Sequence, residues 1–224
     1  MSRQIVLDTE TTGFDHATGD RIVEIGCIEM IDRQITDNHY HVYINPERDM
    51  PEEAFKVHGL SDEFLRDKPL FEAVGQSFLD YVNGDELIIH NAAFDVGFLD
   101  FELERMGLPP VSKTSSVIDT LIMARDMYPG QRNTLDALCR RLDVNNSNRV
   151  LHGALIDSEL LAQVYLKMTG GQESLLLFDD GSQKESDADE DLLMATAKKV
   201  SGGTRVIYAN TEELAAHEAF FNKD

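Results

Sequence analysis

Apolar residues follow two rhythms along this chain. Short runs rich in β-branched and aromatic residues occur at residues 4–8, 22–30 and 40–44, and they predict three strands. The polar stretch 32–38 joins the second and third as a hairpin. Residues 87–90 predict a fourth strand and residues 116–118 a short fifth. Helical spacing takes over elsewhere. A helix opens at Pro51 and covers 51–55, and another spans about 70–82. Asn91 is placed to cap a helix carrying Phe94, Phe98, Phe101 and Met106, and Asp119 opens one that stops near Pro129. Residues 134–142 and 154–168 complete the body. Three consecutive strands, then alternating helices and strands, predict an α/β fold in which a mixed sheet is flanked by helices.

Gly170 and Gly171 end the last helix, so residues 1–170 are expected to form one domain. Residues 171–191 hold a short apolar cluster and a polar, acidic run that reads as a solvated linker. Residues 192–224 read as a small partner-binding segment, with a strand at 205–208 and a helix at 212–221 capped by Thr211.

A chain of 224 residues with 42% hydrophobic content can bury one substantial core. No run approaches the ~18 apolar residues that cross a bilayer, and the N-terminus carries no signal-like segment, so a cytoplasmic location is expected. Cys27 and Cys139 both lie in apolar patterns, which favours two buried thiols over a disulfide or zinc site. The net charge of −21 argues against autonomous nucleic-acid binding, which depends on basic residues. The imbalance is not confined to the tail: residues 171–224 hold 12 acidic and 5 basic residues, leaving −14 for the rest. If the substrate is a nucleic acid, cations must offset repulsion and a partner must deliver the substrate.

The acids carry the candidate chemistry. Asp8 and Glu10 are two apart on the first strand and so share a face, where a divalent cation with hard oxygen ligands relieves their repulsion. Asp95 falls in the first turn of the helix after the fourth strand, a position the helix dipole favours by itself. Asp157 shares the stripe of Leu160, Leu161, Val164 and Met168, so it faces the core and needs a partner or a metal. His152 precedes it by five residues, which is about 140° out of phase on a helix of ~3.6 residues per turn, so it belongs in the loop leading in. Acids from separated segments meeting around metal ions suit phosphodiester hydrolysis, with a neutral His to take a proton from water.

Asp8-Thr-Glu-Thr-Thr-Gly13, His90-Asn-Ala-Ala-Phe-Asp95 and His152-Gly-Ala-Leu-Ile-Asp157 resemble, in order and spacing, the three motifs of the DEDDh 3′→5′ exonucleases. The resemblance covers about residues 3–170. It implies a ribonuclease-H-like fold, two Mg²⁺ or Mn²⁺ ions, and release of nucleoside monophosphates from 3′ ends. It further implies that Asp8, Glu10 and Asp157 bind the ion that activates water, that Asp8 and Asp95 serve the second ion, and that His152 is the general base. Thr11, Gly13, Phe14, His58, Asn91 and Phe94 would line the nucleotide pocket. Within this family, Phe55-Lys-Val-His-Gly59, Asn133-Thr-Leu-Asp-Ala-Leu-Cys139 and Val164-Tyr-Leu-Lys-Met-Thr-Gly-Gly171 are similar to stretches of the proofreading (epsilon) subunits of bacterial replicative polymerases. That branch implies a DNA 3′ end as substrate. Its implied partners are the polymerase catalytic (alpha) subunit and a small accessory subunit of the polymerase core.

The stretch Gln172-Glu-Ser-Leu-Leu-Leu-Phe178 resembles the peptides with which bacterial proteins bind the sliding clamp, through Gln172, Leu175, Leu177 and Phe178. Two other readings exist. One is a DEDDh RNA-trimming exonuclease or oligoribonuclease, which would not need such a peptide. The other is a non-catalytic structural subunit, which the loss of an acid would mark; none is lost.

Overall fold

The computed structural model describes residues 2–147, 149 and 151–170. Strands β1 (Arg3–Thr11), β2 (Ile22–Ile31) and β3 (Gln34–Tyr43) come first. Helices α1 (Glu52–His58), α2 (Asp62–Leu65) and α3 (Phe71–Val82) follow, then β4 (Glu86–Ile89), α4 (Ala92–Arg105) and α5 (Val111–Thr114). β5 (Val117–Asp119), α6 (Thr120–Met127), α7 (Leu135–Arg141) and α8 (Ala154–Thr169) close the domain. The five strands form one mixed sheet in the order β3-β2-β1-β4-β5. β1 runs antiparallel to β2 and parallel to β4, which is in turn parallel to β5. The expected α/β architecture is present, and no described helix is long and apolar enough to cross a membrane.

Both faces of the sheet are covered, which explains why β1, β2 and β4 read as nearly continuous apolar runs. Ile5, Leu7, Leu87 and Ile89 pack with Phe71, Phe78 and Phe98 from α3 and α4. Val6, Ile28, Met30 and Ile88 face Leu138, Leu161 and Val164 from α7 and α8. Cys27 and Cys139 are buried free thiols, as their surroundings predict.

The third strand differs from expectation. It begins at Gln34 rather than near residue 40, because the hairpin turns at Asp32 and Arg33 alone, both with positive φ (48° and 66°). Two left-handed residues match the twist of a tight hairpin. β3 is an edge strand whose first half is mostly solvent-exposed, so its residues are polar and read as loop.

The start of α4 also differs. Asn91 occupies the N-cap position but is left-handed (φ 68°, ψ 51°), and its side chain caps nothing. Asp119 does that work from the end of β5: its Oδ1 accepts from Asn91 N and its Oδ2 from Ala92 N (3.2 and 3.0 Å). The same carboxylate accepts from Leu121 N and Ile122 N at the start of α6. One acid thus ties two helix starts together beside the ends of β4 and β5. The short helices α2 and α5 are additional to the expected elements; Ser61 caps α2 by accepting from Phe64 N at 3.2 Å.

Candidate active site

Side-chain parity on β1 builds the site. Ile5 and Leu7 face α3 and α4, whereas Val6 faces α8. Asp8 and Glu10 continue the Val6 face and so point toward α8, where Asp157 lies in the first turn. Thr9 continues the other face and meets Asp95 from α4. Its backbone N–H and hydroxyl both donate to Asp95 Oδ1, at 3.0 and 2.7 Å.

Helix α8 reaches Asp8 because of a glycine. Asp8 pairs directly with Gly26 across the β1–β2 ladder. A Cβ at Gly26 would fall on the backbone of Ala154 and Leu155, so only glycine lets the first turn of α8 lie flush on the sheet. Ser158 Oγ fastens it there by donating to Gly26 O at 2.9 Å. A register shift between Glu10 and Thr11 then bends β1 where it enters the cleft.

The resulting cleft, of about 1100 Å³, lies at the carboxyl ends of β1 and β4. Asp8, Glu10, Asp95, Asp157 and His152 all line it, as do Thr11, Gly13, Phe14, His58, Asn91 and Phe94. His152 sits in the loop before α8, with its backbone N–H on Val57 O and its side chain half-exposed. Phe14 is 87% exposed and meets Phe94 edge-on, with ring centroids 6.5 Å apart. Thr11 Oγ1 donates to Gly13 O, shaping the turn that carries Phe14. His58 accepts from Leu60 N at Nδ1, and its buried Nε2 has no hydrogen-bond partner among the described residues. Burial also pulls the His58 pKa below its ordinary value.

Crowded carboxylates dominate the electrostatics. Burial, and then the charges of Asp95, Glu10 and Asp157, hold Asp8 well above the carboxylate range. Glu10 is pushed up to about 8 by burial and by Asp157, Glu24 and Asp95. Glu24 stands directly opposite it on β2 and takes a hydrogen bond of 2.7 Å with His41. Burial raises Asp95 to about 7 even though both Thr9 hydrogen bonds oppose the rise. Asp157 goes the other way: burial would raise it, but its contacts with His152 and with the Arg149 guanidinium outweigh that and hold it below the ordinary value.

This donor set fits a divalent cation. Oxygen ligands of one sign converge, and Glu10, His152 and Asp157 offer ligand atoms all within 4.8 Å of one another. Sequence reasoning missed Thr9 and Arg149. Thr9 was legible, since its parity turns it away from its acidic neighbours. Arg149 was not, because a lone basic residue in a polar loop does not announce its partner. The residues Gln172, Leu175, Leu177 and Phe178, the acidic linker and the segment 192–224 lie outside the described residues.

Comparison with known proteins agrees with this fold. The family model described as "Exonuclease" (RNase_T) matches residues 5–165. Among solved structures, exonuclease X in complex with 5′-overhanging duplex DNA superposes with a TM-score of 0.59 at 25% identity, covering 76% of this chain and 93% of that one. An Escherichia coli exonuclease I–single-stranded DNA complex has a TM-score of 0.68 at 18% identity, covering 80% of this chain and 42% of that one, and it shows the fold alone. The chain therefore belongs to the exonuclease family, the class its sheet and convergent acids point to. DNA polymerase III subunit epsilon of Escherichia coli is 49% identical over 98% of this chain and 92% of that protein. The Haemophilus influenzae epsilon subunit is 50% identical over 98% of this chain and 89% of that protein. Within the exonucleases, the chain falls in the family of DNA polymerase III epsilon subunits.

Proposed function

We propose that this chain proofreads DNA synthesis by hydrolysing mispaired 3′-terminal nucleotides to nucleoside monophosphates. The observation that supports this most directly is the convergence of Asp8, Glu10, Asp95, Asp157 and His152 in one cleft. Asp8, Glu10 and Asp157 would hold one Mg²⁺ or Mn²⁺, and Asp8 with Asp95 a second. Such ions, when bound, supply a more acidic water and charge stabilisation for the attacking and leaving oxygens. Thr9 fixes the Asp95 carboxylate through its two hydrogen bonds. His152 accepts the proton of the attacking water at Nε2, its Nδ1 lying 3.4 Å from Asp157 Oδ2.

Phe14 and Phe94 offer aromatic surface for the terminal base, and stacking of that kind tolerates any base. The Asn91 side chain, which caps nothing among the described residues, is placed to meet the sugar and phosphate, and His58 lines the same cleft. Discrimination then comes from the DNA end, since a mismatch lowers the cost of unpairing and unstacking the last nucleotide. The DNA in the exonuclease X complex supports a DNA substrate.

The relatives' name, a subunit of DNA polymerase III, supports assembly with the polymerase catalytic subunit and a small accessory subunit. Residues 1–170 form the exonuclease domain in this reading. Residues 171–191 carry the clamp-binding peptide and linker, and residues 192–224 bind the polymerase. The deciding experiment compares cleavage of matched and mismatched 3′ DNA ends and of single-stranded RNA with Mg²⁺. Faster cleavage of mismatched DNA is expected, and preferential cleavage of RNA would favour an RNA trimmer instead.

A further inference from the structure

Arg149 has no part in the reading above, yet it is bound to more of the cleft than any of the acids. It lies in the loop before α8 with only 7% of its side chain exposed. Its Nε donates to Asp157 Oδ1, and one terminal nitrogen donates to Asp157 Oδ2 at 2.6 Å. The same nitrogen donates to His152 Nδ1 at 2.8 Å. The other terminal nitrogen donates to Asp136 Oδ1 at 2.9 Å.

The two contacts to Asp157 use lone pairs that a cation would need, and the contact to His152 engages the ring that would take a proton from water. Glu10, His152 and Asp157 form the group whose ligand atoms lie within 4.8 Å of one another, and Arg149 holds two of the three. Both Asp157 oxygens are taken, in the paired fork geometry that suits guanidinium and carboxylate. Charge explains why a cation belongs here. Among the described residues, eight acids and two arginines line the cleft, and a buried carboxylate is costly without a counter-charge. Arg125 is the other arginine, and it makes no ion pair with any of the acids that meet in the cleft floor among the described residues.

We propose that Arg149 is an internal counter-ion that competes with the divalent cation for Asp157 and engages His152 while it does so. This rests on the metal-site reading given above. In the absence of metal, the guanidinium spans Asp157 and His152 and offsets the repulsion among the acids. A divalent ion displaces it from Asp157, and Asp136, which is 44% exposed and also takes a hydrogen bond from Asn146, keeps it at the cleft edge. The latch sets how much free cation is needed to assemble the site, and it limits the time for which His152 and Asp157 are both free without metal.

Calorimetric titration of the full-length chain with MnCl₂ alone, beside thermal unfolding in EDTA, tests the proposal. Arg149→Gln should bind Mn²⁺ about 10-fold or more tightly, the equivalent of removing one charge-assisted hydrogen bond from the competition. It should also melt lower in EDTA and gain more on adding Mn²⁺. Arg149→Lys should fall between, because a single ammonium cannot span both Asp157 oxygens and Asp136. Equal or weaker Mn²⁺ binding by Arg149→Gln and Arg149→Lys would overturn the proposal and leave Arg149 a structural anchor. Asp157→Asn separates the two levels of argument. If it binds Mn²⁺ as tightly as the parent, the metal-site reading fails, whatever Arg149 does.

Discussion

Thr9 and Asp95 are joined by two hydrogen bonds to a single carboxylate oxygen, one from the Thr9 backbone and one from its hydroxyl. The residue between Asp8 and Glu10 thereby fixes an acid that lies 86 positions further on. Thr9→Val keeps the β-branched shape and removes only the hydroxyl. Loss of such a supporting contact typically costs ~10–100-fold in metal affinity or activity, and that fall is expected here with the fold retained. Unchanged Mn²⁺ affinity and rate would show that the backbone N–H suffices.

The raised carboxylates make stability depend on pH. Glu10 rises from an ordinary 4.5 to about 8, and Asp95 from 3.8 to about 7. The folded chain therefore keeps protons that the unfolded chain releases across that window. Their favourable contribution is complete below the ordinary carboxylate values and disappears as pH climbs through 7 and 8. Asp157, whose value is lowered, contributes stability that is lost only as pH falls below the carboxylate range. Melting temperatures in EDTA should thus decline between about pH 5 and about pH 8.5, and saturating Mg²⁺, which needs deprotonated ligands, should flatten the decline. A melting temperature that rose over this range in EDTA would contradict the crowding of these acids.

His152 is half-exposed on a loop, so its removal should leave the fold intact. His152→Ala is expected to lose roughly 10²–10⁴-fold in hydrolysis rate, the range for a general base, with thermal stability close to that of the parent. Single-turnover rates across pH provide the check. A variant that retained the parent's pH profile would take His152 out of the reaction.

Tethering should be separable from catalysis. Gln172→Ala combined with Leu175→Ala should weaken binding to the isolated clamp while leaving hydrolysis of free oligonucleotides unchanged. Deleting residues 192–224 should release the polymerase and spare the same hydrolysis. Short flexible linkers give effective concentrations of about the mM range, so weak contacts suffice for a chain whose net charge of −21 works against binding DNA by itself. Equal clamp and polymerase affinity for the 1–170 fragment and the full chain would end this explanation of the tail.

Much of the domain could be read in advance because burial leaves a plain record. β1, β2 and β4 are covered on both faces, and their apolar runs show it. The first half of β3 escaped for the opposite reason, since an edge strand in solvent carries the residues of a loop. Asn91 has the residue type of a helix cap, but Asp119, brought in by a parallel strand 28 residues later, supplies the hydrogen bonds. Local pattern cannot contain that contact. The acids divide in the same way. The shared face of Asp8 and Glu10 followed from strand parity, whereas bringing Asp95 and Asp157 to them depended on a resemblance that encodes three-dimensional proximity. Arg149, which no motif includes, became visible only when α8 lay against β2.

The bare backbone at Gly26 has a consequence for heredity. Any side chain there would lever the first turn of α8 off the sheet, and a displacement of about 1 Å at a reacting centre can cost ~10²-fold in rate. The residue contributes no atom to the reaction and could be changed without altering one catalytic group. If the chain proofreads as proposed, a single added methyl is nonetheless expected to raise the error rate of DNA synthesis. Mutator alleles of this gene should accordingly be sought on the inner face of β2 as well as among the acids.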